Sequence, residues 1–336
     1  MAKRSRPTVR DVAQRAEVSV ATVSVVLNNP SGGTVRVAEE TRRRVLAAAA
    51  DLGYVADQAA RGLRRGKTEQ LCLVMRWPDS PWAQQLATDV SRFGEPRGYS
   101  TLMFVGGDWR RHVLRRGADG VIVDAVGQQQ PDFEDLRTAL RGGLAMLVLN
   151  DELEPDGFDV LATNEYASCR EAVELLVAAG HRRIGCLRQR PEEPPLYAAA
   201  RFAAWSDVLR DAGLPHDDSL VRDGFGSRER AYTEAVDLLT GPSRPTAVFA
   251  TSDQAAISVI WAARHTGLSV PDDLAVIGVG NAAEGRLIEP GLTTVGPAEP
   301  DFTAVAERLF RRITEGPELP GERLRQHWSL IRRGTA

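Results

Sequence analysis

Residues 8–28 constrain this chain more than any other stretch. Thr8-Val9-Arg10-Asp11 has the spacing of a capping box, and Ser19 repeats a start signal about one helix later. In a capping box the threonine hydroxyl and the carboxylate satisfy the open N–H groups of a first turn, so a helix is expected from Val9. A second helix follows Ser19, with Val23 and Leu27 four apart on one face. Val12, Ala13, Ala16, Val18, Val23 and Leu27 can close a miniature core, which leaves Val20, Ala21, Thr22, Val25 and Asn28 facing outward. Two short helices joined by a tight turn, the second exposing small side chains, make a helix-turn-helix, whose second helix fits the major groove of DNA.

The charge distribution agrees. Residues 1–67 carry 13 Lys/Arg against 6 Asp/Glu, a net +7, while the rest of the chain carries 29 against 39, a net −10. A basic head on an acidic body suits a polyanion-binding module joined to something that stays off the polyanion, although a solvated charged surface reads the same way from charge alone. Lys3 and Lys67 are the only lysines, so the head is basic through arginine, which suits bidentate phosphate and guanine contacts. Residues 1–7 read as a basic arm for phosphate contacts. No apolar run approaches the roughly 18 residues of a membrane span, and the basic N-terminus has no apolar segment behind it, so neither a membrane anchor nor export is expected. Cys72, Cys169 and Cys186 are odd in number and lack C-x-x-C spacing, which points away from a disulfide framework or zinc site and towards a reducing cytoplasm.

Asn29-Pro30-Ser31-Gly32-Gly33 must be a loop. A third helix is expected over 39–52, acidic at its start, with Thr41, Val45, Ala49 and Leu52 along one stripe and Gly53 ending it. Residues 56–66 form a link in which Asp57 can cap about two helical turns, too few to be stable unless docked. Beyond Leu71, apolar runs at 71–75, 101–105, 120–125, 145–149, 184–187, 246–250 and 274–279 alternate with helical patterns at 82–97, 132–142, 166–179, 199–212, 227–240, 254–266 and 299–315. Such alternation builds parallel sheets covered on both faces.

Thr8 to Asn28, the Glu39-Glu40-Thr41-Arg42 helix start, Leu52-Gly53-Tyr54 and Ala60-Arg61-Gly62-Leu63-Arg64 together resemble the lactose-repressor/galactose-repressor family of bacterial transcription regulators. Val18-Ser19-Val20-Ala21-Thr22-Val23-Ser24 is the most specific match. Gly180-His181-Arg182-Arg183-Ile184, the segment from Arg201 to Trp205, Val270-Pro271-Asp272-Asp273-Leu274 and Pro290-Gly291-Leu292-Thr293-Thr294 follow in family order. The resemblance implies an α/β body of two Rossmann-like subdomains, of the type I periplasmic-binding-protein kind, behind a small all-α helix-turn-helix domain. The expected division is a DNA-binding domain over 1–55, a hinge over 56–67 and an effector-binding and dimerisation domain over 68–336. Within that body, 68–163 with 296–320 would form one subdomain and 164–295 with 321–334 the other.

On the DNA side, the resemblance assigns Thr8, Ser19, Val20, Ala21, Thr22, Ser24, Val25 and Asn28 to the major groove and its phosphates, and Arg61, Leu63 and Arg64 to the hinge. Leu63 sits where the family inserts a leucine into the minor groove, or it packs on its own domain. Val20 and Ala21 can offer base edges only contacts such as those to thymine methyls. Val25 stands where the family usually places a guanine-reading arginine, so the half-site is expected to leave the family pattern there. Glu17 replaces the family's usual turn glycine.

On the ligand side, Arg201 matches the arginine that clamps ligand hydroxyls or carboxylates, unless it sits in a salt bridge. Trp82, Asn164, Asp253 and Asn281 complete the candidate effector set; Trp82 can equally be core, and Asp253 can equally cap a helix. Gly280-Asn281 lacks the acid that sugar-responsive relatives carry, and Thr163-Asn164 lacks the usual Asp before Asn. The segment 105–118 is too short for a full-length helix. His181 reads as a helix-end cation.

The expected protein is a cytoplasmic, nucleoid-associated homodimer that binds double-stranded operator DNA as a repressor and responds to a small-molecule effector, a sugar or another metabolite. No membrane, metal, cofactor or catalytic residue is expected. Two alternatives share the α/β fold. Gly278-x-Gly280-x-x-Ala283 formally fits a dinucleotide fingerprint, but Gly285, Pro290 and Gly291 oppose the long helix that motif needs. An exported solute-binding protein would need a leader rather than a DNA-binding head.

Overall fold

The computed structural model describes residues 7–28, 37–54, 66–75, 80–105, 109–124, 130–188, 196–224 and 227–336. The chain divides into two compact units, Met1–Thr68 and Glu69–Ala336.

In the first unit, α1 (Val9–Arg15), α2 (Val20–Asn28) and α3 (Glu39–Leu52) enclose a small core. The capping box is formed: Thr8 N donates to Asp11 Oδ2 at 2.7 Å and Asp11 N donates to Thr8 Oγ1 at 3.4 Å. The bonds from Thr8 hold the Asp11 carboxyl below the usual carboxylate range. Ser19 Oγ accepts from Thr22 N at 3.0 Å and starts α2. Between them, Glu17 N bonds the Gln14 carbonyl at 3.3 Å and Val18 N bonds the Ala13 carbonyl at 3.1 Å, with Glu17 at φ 54°. This is a Schellman turn with glutamate in its left-handed position. Gly53, at φ 62°, ends α3 through the same pair of bonds, to Ala50 and Ala49.

The head's core departs from expectation in detail. Val18 and Leu27 are half-buried, whereas Val26 and Ala48 lie fully inside with Val12, Ala13, Ala16, Val23, Val45 and Ala49. The buried stripe of α2 runs through Val23 and Val26, three apart, and this rotation brings Val25 and Thr22 to half-burial while Val20 and Ala21 stay exposed. Arg61, Leu63, Arg64 and most of the expected hinge lie outside the described residues, as does the Asn28 side chain.

The second unit holds β1 (Gln70–Met75), β2 (Ser100–Val105), β3 (Gly120–Val123), β4 (Ala145–Leu149), β5 (Asp159–Thr163), β6 (Ile184–Arg188), β7 (Val221–Asp223), β8 (Ala247–Ala250), β9 (Ala275–Val279), β10 (Thr293–Gly296), β11 (Arg323–Gln326) and β12 (Ser329–Ile331). They form two six-stranded sheets, ordered β11-β5-β4-β3-β1-β2 and β12-β10-β9-β8-β6-β7. All neighbours run parallel except β12, which is antiparallel to β10. Helices cover the sheets, and the central strands are buried along almost their whole length, as parallel sheets require.

The chain crosses between the sheets after Thr163, after Gly296 and after Gln326. The last crossing falls later than expected, because residues 323–326 pair with Val160–Thr163 in the first sheet. Asp159, fully buried, fixes this arrangement. It accepts from Arg308 Nε at 2.9 Å, Arg312 Nε at 2.7 Å, Arg312 Nη2 at 2.9 Å and Glu322 N at 2.9 Å. The helix expected over 299–315 begins at Thr303, after Phe302 N has bonded Asp89 at 3.1 Å. The helix expected over 82–97 ends at Gly94, and Glu95–Arg97, which contains Pro96, follows as a 3₁₀ turn. Residues 109–114 form only a short helix, as the sequence led one to expect.

Candidate nucleic-acid interface and effector site

The second helix of the head, α2, carries on one face the exposed positions 20 and 21 and the half-buried positions 24 and 25. Val20 is 43% exposed. The Ser19 and Thr22 hydroxyls lie 2.9 Å apart and bond each other. The Thr8 hydroxyl is held by Asp11 at 2.8 Å, so this side chain serves the cap of α1.

In the body, the candidate ligand residues collect at the crossovers, and each is already engaged within the protein. Arg201 donates from Nη2 to Glu165 Oε2 at 3.2 Å and from Nη1 to the Thr251 carbonyl at 2.7 Å, while its Nε bonds Glu165 Oε1. Glu165, 3% exposed, is the first residue of the helix Glu165–Ala178. Burial pushes its carboxyl up while the neighbouring guanidinium pulls it down; the bidentate contact is the geometry of the ionised acid. Arg201 is thus in a salt bridge, half-buried itself and paired to a buried acid.

Asn164, just before Glu165, clamps a single residue of the last crossover. Its Oδ1 accepts from Trp328 N at 2.6 Å and its Nδ2 donates to the Trp328 carbonyl at 3.0 Å. Trp82 Nε1 donates to Gln326 Oε1 at 2.8 Å, and the Trp82 ring meets Phe302 edge-on at 4.9 Å. Trp328 Nε1 reaches the same Gln326 oxygen at 3.4 Å. Trp82, half-buried, packs against the cores of both subdomains.

Asp253 is not the cap of its helix: Ser252 Oγ takes that role, accepting from Ala255 N at 3.1 Å. Asp253, 2% exposed, instead accepts from Thr294 Oγ1 and from Ala282 N, each at 2.5 Å. Burial pushes its carboxyl up to about 6, against those two bonds and the charges of Arg201 and Arg333. A Cβ at Gly278 would stand 2.4 Å from Asp253 Oδ1, so the glycine makes room for this acid. Asn281 holds the second crossover by donating to the Pro297 carbonyl at 2.8 Å and accepting from Arg333 Nη2 at 2.6 Å.

Glu165, Gln326, Trp328 and Arg333 were missed in the sequence, because each acquires its role from a partner 36 or more residues away. His181 is not a helix-end cation. Its Nδ1 pairs with Thr246 Oγ1 at 2.9 Å, and burial lowers its proton affinity. Among the described residues no group of three or more His, Cys, Asp and Glu is placed to hold a metal, and no helix is long and apolar enough to cross a membrane.

A capped helix-turn-helix followed by two parallel-sheet subdomains, crossed three times by the chain, defines a ligand-responsive regulator architecture. Residues 8–57 match the family described as bacterial regulatory proteins, lacI family, and residues 173–336 match the periplasmic binding protein-like domain. It is 29% identical to catabolite control protein A of Priestia megaterium over 313 residues, covering 91% of this chain and 92% of that one. It is 28% identical to the HTH-type transcriptional repressor CytR of Escherichia coli (strain K12) over 340 residues, covering 98% and 96%. Its fold matches a lac repressor dimer bound to operator and the anti-inducer ONPF with a TM-score of 0.73, at 24% identity, over 98% and 99% of the two chains.

Proposed function

We propose that this chain acts as a homodimeric transcriptional repressor in the bacterial cytoplasm, with operator affinity set by a small molecule held between the two α/β subdomains. As in the relative named a transcriptional repressor and the lac repressor dimer seen on operator, two copies would place two α2 helices in successive major-groove half-sites. The hinge, with Arg61, Leu63 and Arg64, would join them over the central minor groove. The observation that carries this reading is the fully formed capping box and Schellman turn presenting α2, on a chain that continues into a two-subdomain body.

The effector would bind where Trp82, Asn164, Arg201, Asp253 and Asn281 gather. Arg201 meets such a ligand with its charge already compensated by Glu165. Trp82 and the three crossovers would carry the change from one subdomain to the other, and a ligand alters operator affinity only by binding the two states unequally. The protein binds its ligand and does not convert it; turnover of a nucleotide or sugar by the purified chain would overturn that part. Selection of bound DNA from random sequences, run with and without a metabolite panel, tests the whole reading. A near-palindromic site whose recovery responds to one metabolite is the expected result, and recovery of no sequence would refute it.

A further inference from the structure

The face of α2 opposite the buried Val23 and Val26 carries the exposed Val20 and Ala21, flanked by the half-buried Ser24 and Val25. From Val20 to Asn28 the helix contains no acidic or basic residue. A guanine is recognised in the major groove by donors to its N7 and O6, and an adenine by a carboxamide bridging N6 and N7. None of the described side chains on this face has a guanidinium, an ammonium or a carboxamide. They present methyl groups instead: two on Val20, one on Ala21 and two on Val25. The methyl that unmodified DNA offers in return is the C5 methyl of thymine. Attraction to the phosphate backbone has a separate source, the net +7 of residues 1–67, so the base-reading surface stays uncharged within a basic head.

Resting on the assignment of α2 as the reading helix, we propose that each half-site is recognised through thymine C5 methyl groups set against Val20, Ala21 and Val25. Two consequences follow from the chemistry. Deoxyuridine, which differs from thymidine only in lacking that methyl, is a poor substitute at the contacted positions. 5-Methylcytosine, which restores the methyl on a different base pair, is a better substitute there than cytosine, so cytosine methylation within such a site strengthens binding.

The test uses the full chain and the operator it selects from random DNA, with Kd read by fluorescence anisotropy as each thymine is replaced in turn by deoxyuridine. The expected result is a rise of about threefold to fivefold at the contacted thymines, the size of one buried methyl, with silence elsewhere. At those pairs 5-methylcytosine·guanine binds more tightly than cytosine·guanine. Val20→Ala, which keeps the helix and leaves the head's core untouched, lowers the deoxyuridine effect at the thymine it faces. The proposal is overturned, with DNA binding intact, if every deoxyuridine is silent while 7-deazapurines, which lack the N7 acceptor, weaken binding. A Val20→Ala variant with the full wild-type deoxyuridine profile also counts against it. If no sequence is enriched, the assignment of α2 fails and the proposal fails with it.

Discussion

Arg201 and Glu165 show how a side chain recognisable in sequence can have its chemistry set by one that is not. Glu165 is buried and Arg201 half-buried, with side chains 4% and 14% exposed. Removing the acid alone leaves an uncompensated guanidinium, so Glu165→Ala is expected to cost about 3–5 kcal/mol of stability in urea unfolding. The double variant with Arg201→Ala should lose less than the sum of the single losses, because both remove the same pair. An anionic effector that took over Arg201 would have to displace Glu165 against a similar cost. Asp253 gives a pH signature. Its folded-state pKa of about 6 lies above the ordinary aspartate value of 3.8, so the folded protein binds the extra proton between those two values. Its stability contribution is fully present below about 3.8 and is lost as pH rises through about 6. The stability of the wild type relative to Asp253→Asn should therefore grow as pH falls from 7 to 4; a pH-independent difference would contradict the burial described for this acid.

At the scale of elements, the same turn closes α1 on a glutamate and α3 on a glycine. A left-handed backbone costs a residue with a Cβ roughly 1 kcal/mol, so Glu17→Gly is expected to raise the stability of the head by about that amount in thermal unfolding. Val25→Arg should add a guanine preference at one position of each half-site, contributing about 1–3 kcal/mol of discrimination on re-selection. Asp159→Ala would leave the buried Arg312 without its acid, while Arg308 keeps Glu322, and would release β11, with an expected loss of about 3–5 kcal/mol.

Elements with local signals were legible in the sequence. The caps at Thr8 and Ser19, the glycine stop at Gly53 and the long apolar runs of β1, β4 and β9 each carry their own mark. β5, β7, β10, β11 and β12 were not anticipated. They are 3–5 residues long, and strands such as Arg323-Leu-Arg-Gln and Val221-Arg-Asp owe their existence to a neighbouring strand. The position of the last crossover went with them, since only the buried Asp159 network shows to which sheet β11 belongs. The same limit applies to the site: Arg201 stands out in its segment, but Glu165 becomes meaningful only when the fold sets it against the guanidinium.

On the scale of the whole molecule, the crossovers are where the two sheets can influence one another. Asn164 grips Trp328, Asn281 grips residues 297 and 298, and Trp82 spans both cores through Gln326. These contacts give a ligand something to rearrange, and the head something to respond to through the intervening chain. The most direct measurement of that coupling is the affinity of the intact protein for its selected operator, with and without a saturating concentration of whichever metabolite raises the unfolding temperature of the body. Two chains per operator and a Kd that shifts about 5- to 150-fold on ligand addition are the predicted result. A Kd unchanged while the ligand saturates the body would contradict it.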